Sequence, residues 1–519
     1  MSVDMLAGVE TNFGNVDWVI VAIYLAGTVA IGLYVNRFIH NMSDYVVAGR
    51  SLKPHLAVAT MIGGELGLVT VMYSAQKGFT GGFAAFHIGL IAGIVTLIVG
   101  LTGFIVVPLR EMGVMTIPEF YEKRFSRGVR ISGGLLLAFS GILNMGLFLK
   151  AGAIFVAGLT GITDPTYVSV IMTVMLILVL AYTILGGMVS VVITDYIQFI
   201  ILSIGIIVTC AISVNVLGWG NIVETVKSIH GEPGFNPLHE GGGFGPAYVV
   251  WMIFTAGIVS CAVWQTSVIR ACAAESTEVV RKLYTWSSIG FLIRFMIPQF
   301  LGICALVYLY QNDTTRSMFF TESGALVQDA DLTLRALPTF LSQILPAGLI
   351  GLIGAGLLAA FMSTHDSYLL CWASVLTHDV IGPVAGGRLS TKAQLAISRL
   401  FIFLIGAFLL IWGLWYELGQ DLWDYMLVSG AIYFTGAFAL LLMGLYWKRA
   451  STVGAYLALV SGAFAIVGLT PVKLALGLGT LSGASIGLTT TGLALGLMVL
   501  GSLLFPNRTA SGEIGEVRS

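Results

Sequence analysis

The sequence predicts an all-α polytopic membrane protein with about thirteen transmembrane helices. Three observations carry that expectation. Of the 519 residues, 57% are apolar and only 10% are Asp, Glu, Lys or Arg, too few charges to cover a water-facing surface. The apolar residues fall in continuous runs of the roughly 20 residues that a bilayer core requires, far longer than the roughly 10-residue alternation of an outer-membrane strand. The 64 glycines suit close helix packing and interrupted helices. Together these exclude a soluble enzyme, a nucleic-acid binder and a disordered chain.

Taken in order, the runs lie at 17–38, 54–77, 82–109, 130–160, 167–186, 189–217, 247–270, 282–310, 346–378, 393–416, 421–447, 452–471 and 481–505. Ahead of the first, MSVDMLAGVETNFGNVDW is acidic and lacks a basic region, so no cleaved signal peptide is expected and the first run remains as a helix. Lys and Arg set the direction. With the N-terminus outside, inner loops collect 18 of them and outer loops only Lys227, Arg316, Arg335 and Lys473. That predicts an outer N-terminus and a cytoplasmic C-terminus. The formal net charge of −1 implies no charged partner. Cys210, Cys261, Cys272, Cys304 and Cys371 lie in apolar stretches without metal-ligand spacing and read as packed thiols.

Two polar segments, 218–246 and 311–345, follow spans that end outside. The spans 54–77 and 247–270 are five helices apart, and this spacing suggests a five-plus-five inverted repeat. Ionisable groups at membrane depth cost at least roughly 2.5–3.5 kcal/mol and each needs a reason. Glu65 follows two glycines in TMIGGELGLVT, where an unwound segment would turn backbone carbonyls and a carboxylate to a cavity; the alternative is a packing ion pair. Lys150 either pairs with a carboxylate or reaches toward a substrate. Asp195, after the glycine pair of ILGGMVS, either coordinates a cation or caps near the inner interface. The densest cluster is Ser363-Thr364-His365-Asp366-Ser367. Its hydroxyl, carboxylate and carbonyl oxygens are what a hard cation prefers, against a purely structural hydrogen-bonded seam. His365 reads as a satisfied histidine on another face.

No HExxH, P-loop or GxSxG is present. The stretches SDYVVAGRSL (43–52), TIPEFYEKRF (116–125), AYTILGGMVSVVITDYIQ (181–198), LPAGLIGLIGAGLLAAFMST (345–364) and GLYWKRASTVGA (444–455) resemble the sodium:solute symporter family. The resemblance implies a leucine-transporter-like inverted repeat within one transmembrane domain spanning 1–519. One extra helix (17–38) would precede the halves 54–217 and 247–447, with two more (452–505) and a cytoplasmic tail (506–519) following. It implies a main sodium site at Gly63, Leu66, Ala360, Ser363 and Thr364. A second cation site, present in some members, maps to Asp195, Ser363, Asp366 and Ser367, where Asp366 departs from the usual hydroxyl. On the substrate side it points to Gly64, Glu65, Thr70, His87, Lys150 and Ser260. The glutamine expected near Thr70 for sugar contact is missing, and Ser260 replaces an aromatic gate of sugar-transporting members.

The expected function is therefore Na⁺-coupled uptake of a small polar organic solute such as an amino acid or carboxylate, across the cell membrane, by alternating access. The expected partners are the solute, Na⁺ and the bilayer, with no other cofactor, no nucleic acid and no obligate protein partner. A proton-coupled carrier using Glu65 and Asp366 is the alternative within transport. A symporter-like sensor or a channel is the alternative outside it.

Overall fold

The structure, a computed structural model, describes residues 10–35, 54–162, 164–240 and 243–507; the side chains of 28, 29, 31–35, 55, 56, 165, 182 and 184–201 fall outside it. The segment 43–52, the basic residues Arg37, Arg50, Lys53, Arg508 and Arg518, and the Asp195 side chain therefore lie outside the described residues.

The described chain is predominantly helical. In order, the principal helices are α1 (Asn15–Val35), α2 (Pro54–Glu65), α3 (Leu68–Gly81), α4 (Phe86–Thr102), α5 (Arg127–Asn144), α6 (Phe148–Thr160), α7 (Pro165–Leu217), α8 (Trp219–His230) and α9 (Pro246–Met252). They continue with α10 (Gln265–Ala273), α11 (Thr277–Gln311), α12 (Ala330–Ile344), α13 (Leu349–Val375), α14 (Thr391–Trp415), α15 (Leu422–Tyr446), α16 (Thr452–Ala463) and α17 (Gly483–Leu504). Among the described residues, eight helical runs are long and apolar enough to cross a membrane, nine if the pair Leu202–Leu217 and Trp219–His230, bent by 80°, counts as one. Helices α5, α6, α13 and α15 are enclosed by the others. By contrast, α4 and α14 turn Leu90, Ile94, Ile98 and Leu101, and Leu400, Phe403, Leu404 and Ile411, outward. In a chain this apolar, that outer surface faces lipid.

Two runs hold more than one expected span. Along α11, Ile62 meets Gly290 and Ala75 meets Gly302, so α2 and α3 rise with it. Gly89 meets Met296, Gly93 meets Leu292, and Gly100 meets Thr285, so α4 descends. The chain reverses at Gly82, whose φ of 60° belongs to the left-handed region that glycine alone enters freely. The gap expected between 167–186 and 189–217 is corrected: helical hydrogen bonding runs unbroken through 53 residues. Two glycines cost a helix only about 1 kcal/mol each and do not by themselves end it. Yet Met172 packs on Gly413, and Leu217 leads into α8 and His230; Leu414 and His230 both line one large cavity. Met172 and His230 thus lie toward the end of the molecule where that cavity opens. The polar segments, read from sequence only as connections, contain α8 and α12.

The first helix is tied to the middle of the fold by one carboxylate. Asp17, fully buried, accepts from Gly14 N (2.9 Å) through Oδ2 and from Gly348 N (2.7 Å) and Gly351 N (2.8 Å) through Oδ1. Two of these donors open α13, so the carboxylate satisfies N–H groups that have no partner inside their own helix and lies at the positive end of its dipole. Replacing Asp17 with Ala removes the acceptor of all three N–H groups and leaves the buried one, at Gly351, unpaired at about 1–3 kcal/mol. The Asp17→Ala protein is expected to lose several degrees of thermal midpoint in detergent; an unchanged midpoint would show that the tie is dispensable.

Candidate functional site

Two helices stop in the interior and resume. The first break separates α2 from α3 at Leu66–Gly67, where Gly67 is extended (φ −90°, ψ 171°). Leu66 N still bonds to Ile62 O and Val71 N to Gly67 O. Among the described residues no backbone donor reaches the carbonyls of Gly63, Gly64 or Leu66 between them. The unwinding expected at the Gly63-Gly64 pair thus falls two residues later, with both glycines still helical. The reason is contact with α13: a Cβ on Gly67 would stand 2.0 Å from Thr364 Oγ1 and 3.4 Å from Ala360 O. Thr364 Oγ1 donates to Ala360 O at 2.9 Å, and Ser363 is buried beside it. The break and the Ala360–Thr364 turn therefore meet, bringing Leu66, Ala360 and Thr364 to one place with Ser363 on the same turn and Gly63 on the turn below. Their oxygens are neutral carbonyls and hydroxyls, the donor set of a hard cation that must be released again.

The second break follows α9. An 11-residue π-helix, Ile253–Val263, ends at Trp264 (ψ 124°), and α10 restarts at Gln265. Trp264 Nε1 donates to Tyr368 OH on α13 (3.2 Å). Since α10 and α11 are joined by three residues, the second broken helix runs against α11, and hence against the first. The two breaks face each other in opposite senses, as an inverted repeat requires.

Between them lies Glu65. Its Oε2 pairs with Arg294 Nη1 of α11 at 2.7 Å, both side chains buried. Its Oε1 lies 3.2 Å from Thr266 Oγ1 and 3.1 Å from Ser267 Oγ, the first turn of α10. Ser267 Oγ is also 2.7 Å from Ser260 O, so one proton serves two acceptors. Arg294 Nη2 donates to Ser260 Oγ (2.8 Å), and its guanidinium lies over the Phe291 and Phe295 rings. Thr70 Oγ1 donates to Glu65 O (2.8 Å) and accepts from Tyr73 OH. Glu65, Thr70 and Ser260, three of the expected substrate-side residues, thus belong to one network with Gly64 adjoining. Glu65 is not a lone carboxylate at a cavity but one half of an ion pair bridging both breaks. Arg294 escaped the sequence reading, although assigning 22 of the 25 Lys and Arg to the inner or outer side leaves Lys77, Lys150 and Arg294 to be explained.

Above the pair, Tyr73, Phe295 and Trp423 form a buried aromatic layer with ring centroids 4.8–6.3 Å apart. One turn further along α3, Lys77 Nζ bonds to Asp421, just ahead of α15, and to Asp424 in its first turn, both at 2.8 Å, and Tyr248 OH joins Asp424 (3.2 Å). Beyond this lid opens a cavity of about 1180 Å³, lined among others by Lys77, Lys150, Asp329, Asp331, Glu417, Asp421 and Asp424. Lys150 donates to Tyr416 O (3.0 Å) and lies 3.7 Å from Asp331. Burial raises the pKa of the Asp331 carboxyl, which the Lys150 ammonium partly offsets. His87 lies apart, its Nδ1 against Ala84 O and its ring edge-on to Phe244 and Tyr248. It sits beside the lid rather than with Glu65.

The opposite end is closed. Arg130 pairs with Glu122 and with Asp379, which also accepts from Thr116 Oγ1, while Tyr121 and Tyr433 share a hydrogen bond. Of the second expected cation site, Asp366 is fully buried, and Ser367 Oγ accepts from Arg270 Nη2 at 3.3 Å. Arg270 also donates to Thr60 O and Thr266 O. A guanidinium thus stands beside residues expected to hold a cation. His365 is packed between Phe148 and Phe361 with Nδ1 on Phe361 O, on another face as expected.

Helices broken at mid-depth, facing in opposite senses beside a cluster of cation-ligating oxygens, define a secondary transporter of the leucine-transporter-like class. The chain belongs to the sodium:solute symporter family, whose profile matches residues 45–462. It is 26% identical over 485 residues to a sodium/glucose cotransporter of Vibrio parahaemolyticus, covering 88% of this chain and 85% of that one. It is 24% identical over 463 residues to a sodium/sialic acid symporter of Aliivibrio fischeri, covering 87% and 86%. In fold it is similar to a substrate-bound, outward-open Na⁺-coupled sialic acid symporter, with a TM-score of 0.76, 20% identity, and coverage of 95% and 98%. These relatives are transporters, and the chain is a multi-pass membrane protein of their family.

The contact at the first break gives a direct test. Gly67→Ala places a methyl within 2.0 Å of Thr364 Oγ1, so the break must move away from α13. Sodium-induced thermal stabilisation is expected to disappear in this variant, and its retention would detach the break from ion binding.

Proposed function

We propose that this protein couples Na⁺ influx to uptake of a small polar organic solute by alternating access. The observation that carries the reading is the meeting of the Leu66–Gly67 break with Ala360 and Thr364. Carbonyls released by the break and hydroxyls of α13 together offer a cation neutral oxygens from two helices. An ion held there joins α2–α3 to α13 and fixes the segment that carries Glu65. The solute then binds near Glu65, Thr70 and Ser260 beneath the aromatic layer, and the lid over it closes through Lys77, Asp421 and Asp424.

With the orientation set by the loop charges, the cavity faces outside and the Arg130 network closes the cytoplasmic end. We assign a single Na⁺, at Gly63, Leu66, Ala360, Ser363 and Thr364. Arg270 beside Ser367 supplies a tethered positive charge near Asp366 and Ser367, where a second ion would meet repulsion. Glu65 is itself engaged by Arg294, Thr266 and Ser267, so we give it to the solute site and not to the coupling ion. One Na⁺ driven by 100 mV and a tenfold gradient supplies roughly 3.7 kcal/mol, enough for about 500-fold accumulation at one-to-one coupling.

Ser363→Ala and Thr364→Ala each remove one hydroxyl ligand. In proteoliposomes each is expected to raise the sodium concentration for half-maximal uptake by about tenfold or more, the scale of one charge-assisted contact. An unchanged sodium dependence in both variants would place the ion elsewhere.

A further inference from the structure

The Glu65–Arg294 pair and the cavity above it bear on the class of solute, an inference that rests on the symport reading. Arg294 uses Nη1 on Glu65 and Nη2 on Ser260, and its buried Nε has no hydrogen-bond partner. A buried donor of a charged group left unpaired is costly and is best answered by an acceptor oxygen, an anionic one most of all. The pair itself is already neutral. An anionic group that engages Arg294 leaves Glu65 to find another partner, which a cationic group on the same solute supplies. A simple monoanion brings none. The route inward points the same way: five carboxylates line the cavity, Asp329, Asp331, Glu417, Asp421 and Asp424, against the ammonium groups of Lys77 and Lys150. That excess of negative charge raises the local concentration of cationic groups and lowers that of simple anions.

We propose that the transported solute is a zwitterion, its anionic group received by Arg294 at Nε and its cationic group balanced by Glu65, with the rings of Tyr73 and Trp423 nearby. Arriving solute exchanges one ion pair for two without changing the net charge of the site. The same site discriminates against monoanions and gives uncharged polyols no ionic partner to exchange.

The test uses the full-length protein in proteoliposomes with an imposed inward sodium gradient. The panel holds the proteinogenic amino acids and glycine betaine as zwitterions, lactate and sialic acid as monoanions, choline as a cation, and glucose and myo-inositol as neutral polyols. Sodium-dependent uptake of one or more zwitterions is expected, with monoanions and polyols weaker by about 100-fold, the fold-change that an uncompensated or unused buried charge implies. Glu65→Gln leaves Arg294 unbalanced; it should weaken zwitterion uptake at least about tenfold while improving competition by monoanions, and Arg294→Gln should weaken both. A thermal midpoint measured for each variant separates misfolding from altered selectivity, and the wild-type panel decides the assignment by itself. Sodium-dependent uptake of a sugar, polyol or monoanion in preference to every zwitterion would overturn the charge assignment and leave symport standing, as would sodium-induced stabilisation without uptake of any zwitterion. Absence of sodium-induced stabilisation together with sodium-independent uptake would overturn the symport reading itself.

Discussion

Two helices end in the middle of this protein, and the backbone and side-chain groups they expose have no water to turn to. In hydrocarbon each unsatisfied polar group costs several kcal/mol, so irregular backbone survives at that depth only where protein or a cavity answers it. Here the answers are specific. Thr70 bonds to the Glu65 carbonyl at the first break, Tyr368 takes the Trp264 indole at the second, and Glu65 itself spans from one to the other through Thr266 and Ser267. Arg294, held in α11, neutralises the carboxylate that makes this bridge possible. Removing any one member would leave a buried charge or donor facing the rest, and so the helix breaks and the ion pair stand together.

The same residues link the interior to the lid. Thr70, Tyr73 and Lys77 follow one another at spacings of three and four along α3, which places them on one face of a helix. The lowest belongs to the Glu65 network, the middle one to the aromatic layer, and the highest to the pair of carboxylates at the start of α15. A rigid helix of this kind carries a change at the Leu66–Gly67 break directly to Lys77. Asp17 completes the frame from the other side: by capping the start of α13 it fixes the helix whose Ala360–Thr364 turn receives the break.

Much of the fold was legible because lipid enforces it. The apolar intervals are mostly helix where described, since little else spans a hydrocarbon layer with its backbone satisfied, and two of them contain the breaks at Leu66–Gly67 and Trp264. The hydroxyl-bearing stretch on α13 was legible because five polar residues inside an apolar run have few other reasons to be there. The first break was nearly legible from its glycines, yet Gly67 rather than Gly63 or Gly64 meets Thr364, a tertiary fact that local propensity does not contain. The second break carries no such mark. VSCAVWQTS holds neither glycine nor proline, and the helix stops at Trp264 because Tyr368 and Glu65, distant in sequence, bind what is exposed there. Arg294 was countable in advance as a cation without a loop, but its partner was not, because pairing two charges from helices so far apart needs the packing.

That pairing also changes what Glu65 is for. Read from the sequence, an isolated carboxylate beside an unwound segment suits a cation or a proton. Held by a guanidinium and two hydroxyls, it is already satisfied, and a ligand must compete with Arg294 for it or add to the pair as a whole. A bare cation would have to displace a guanidinium that donates into the same carboxylate while bonded to Ser260. The neutral oxygens at Leu66, Ala360 and Thr364 present no such competitor. The division of labour follows from the charges: the neutral site suits an ion that must come and go, and the paired site suits a solute that can satisfy both of its halves.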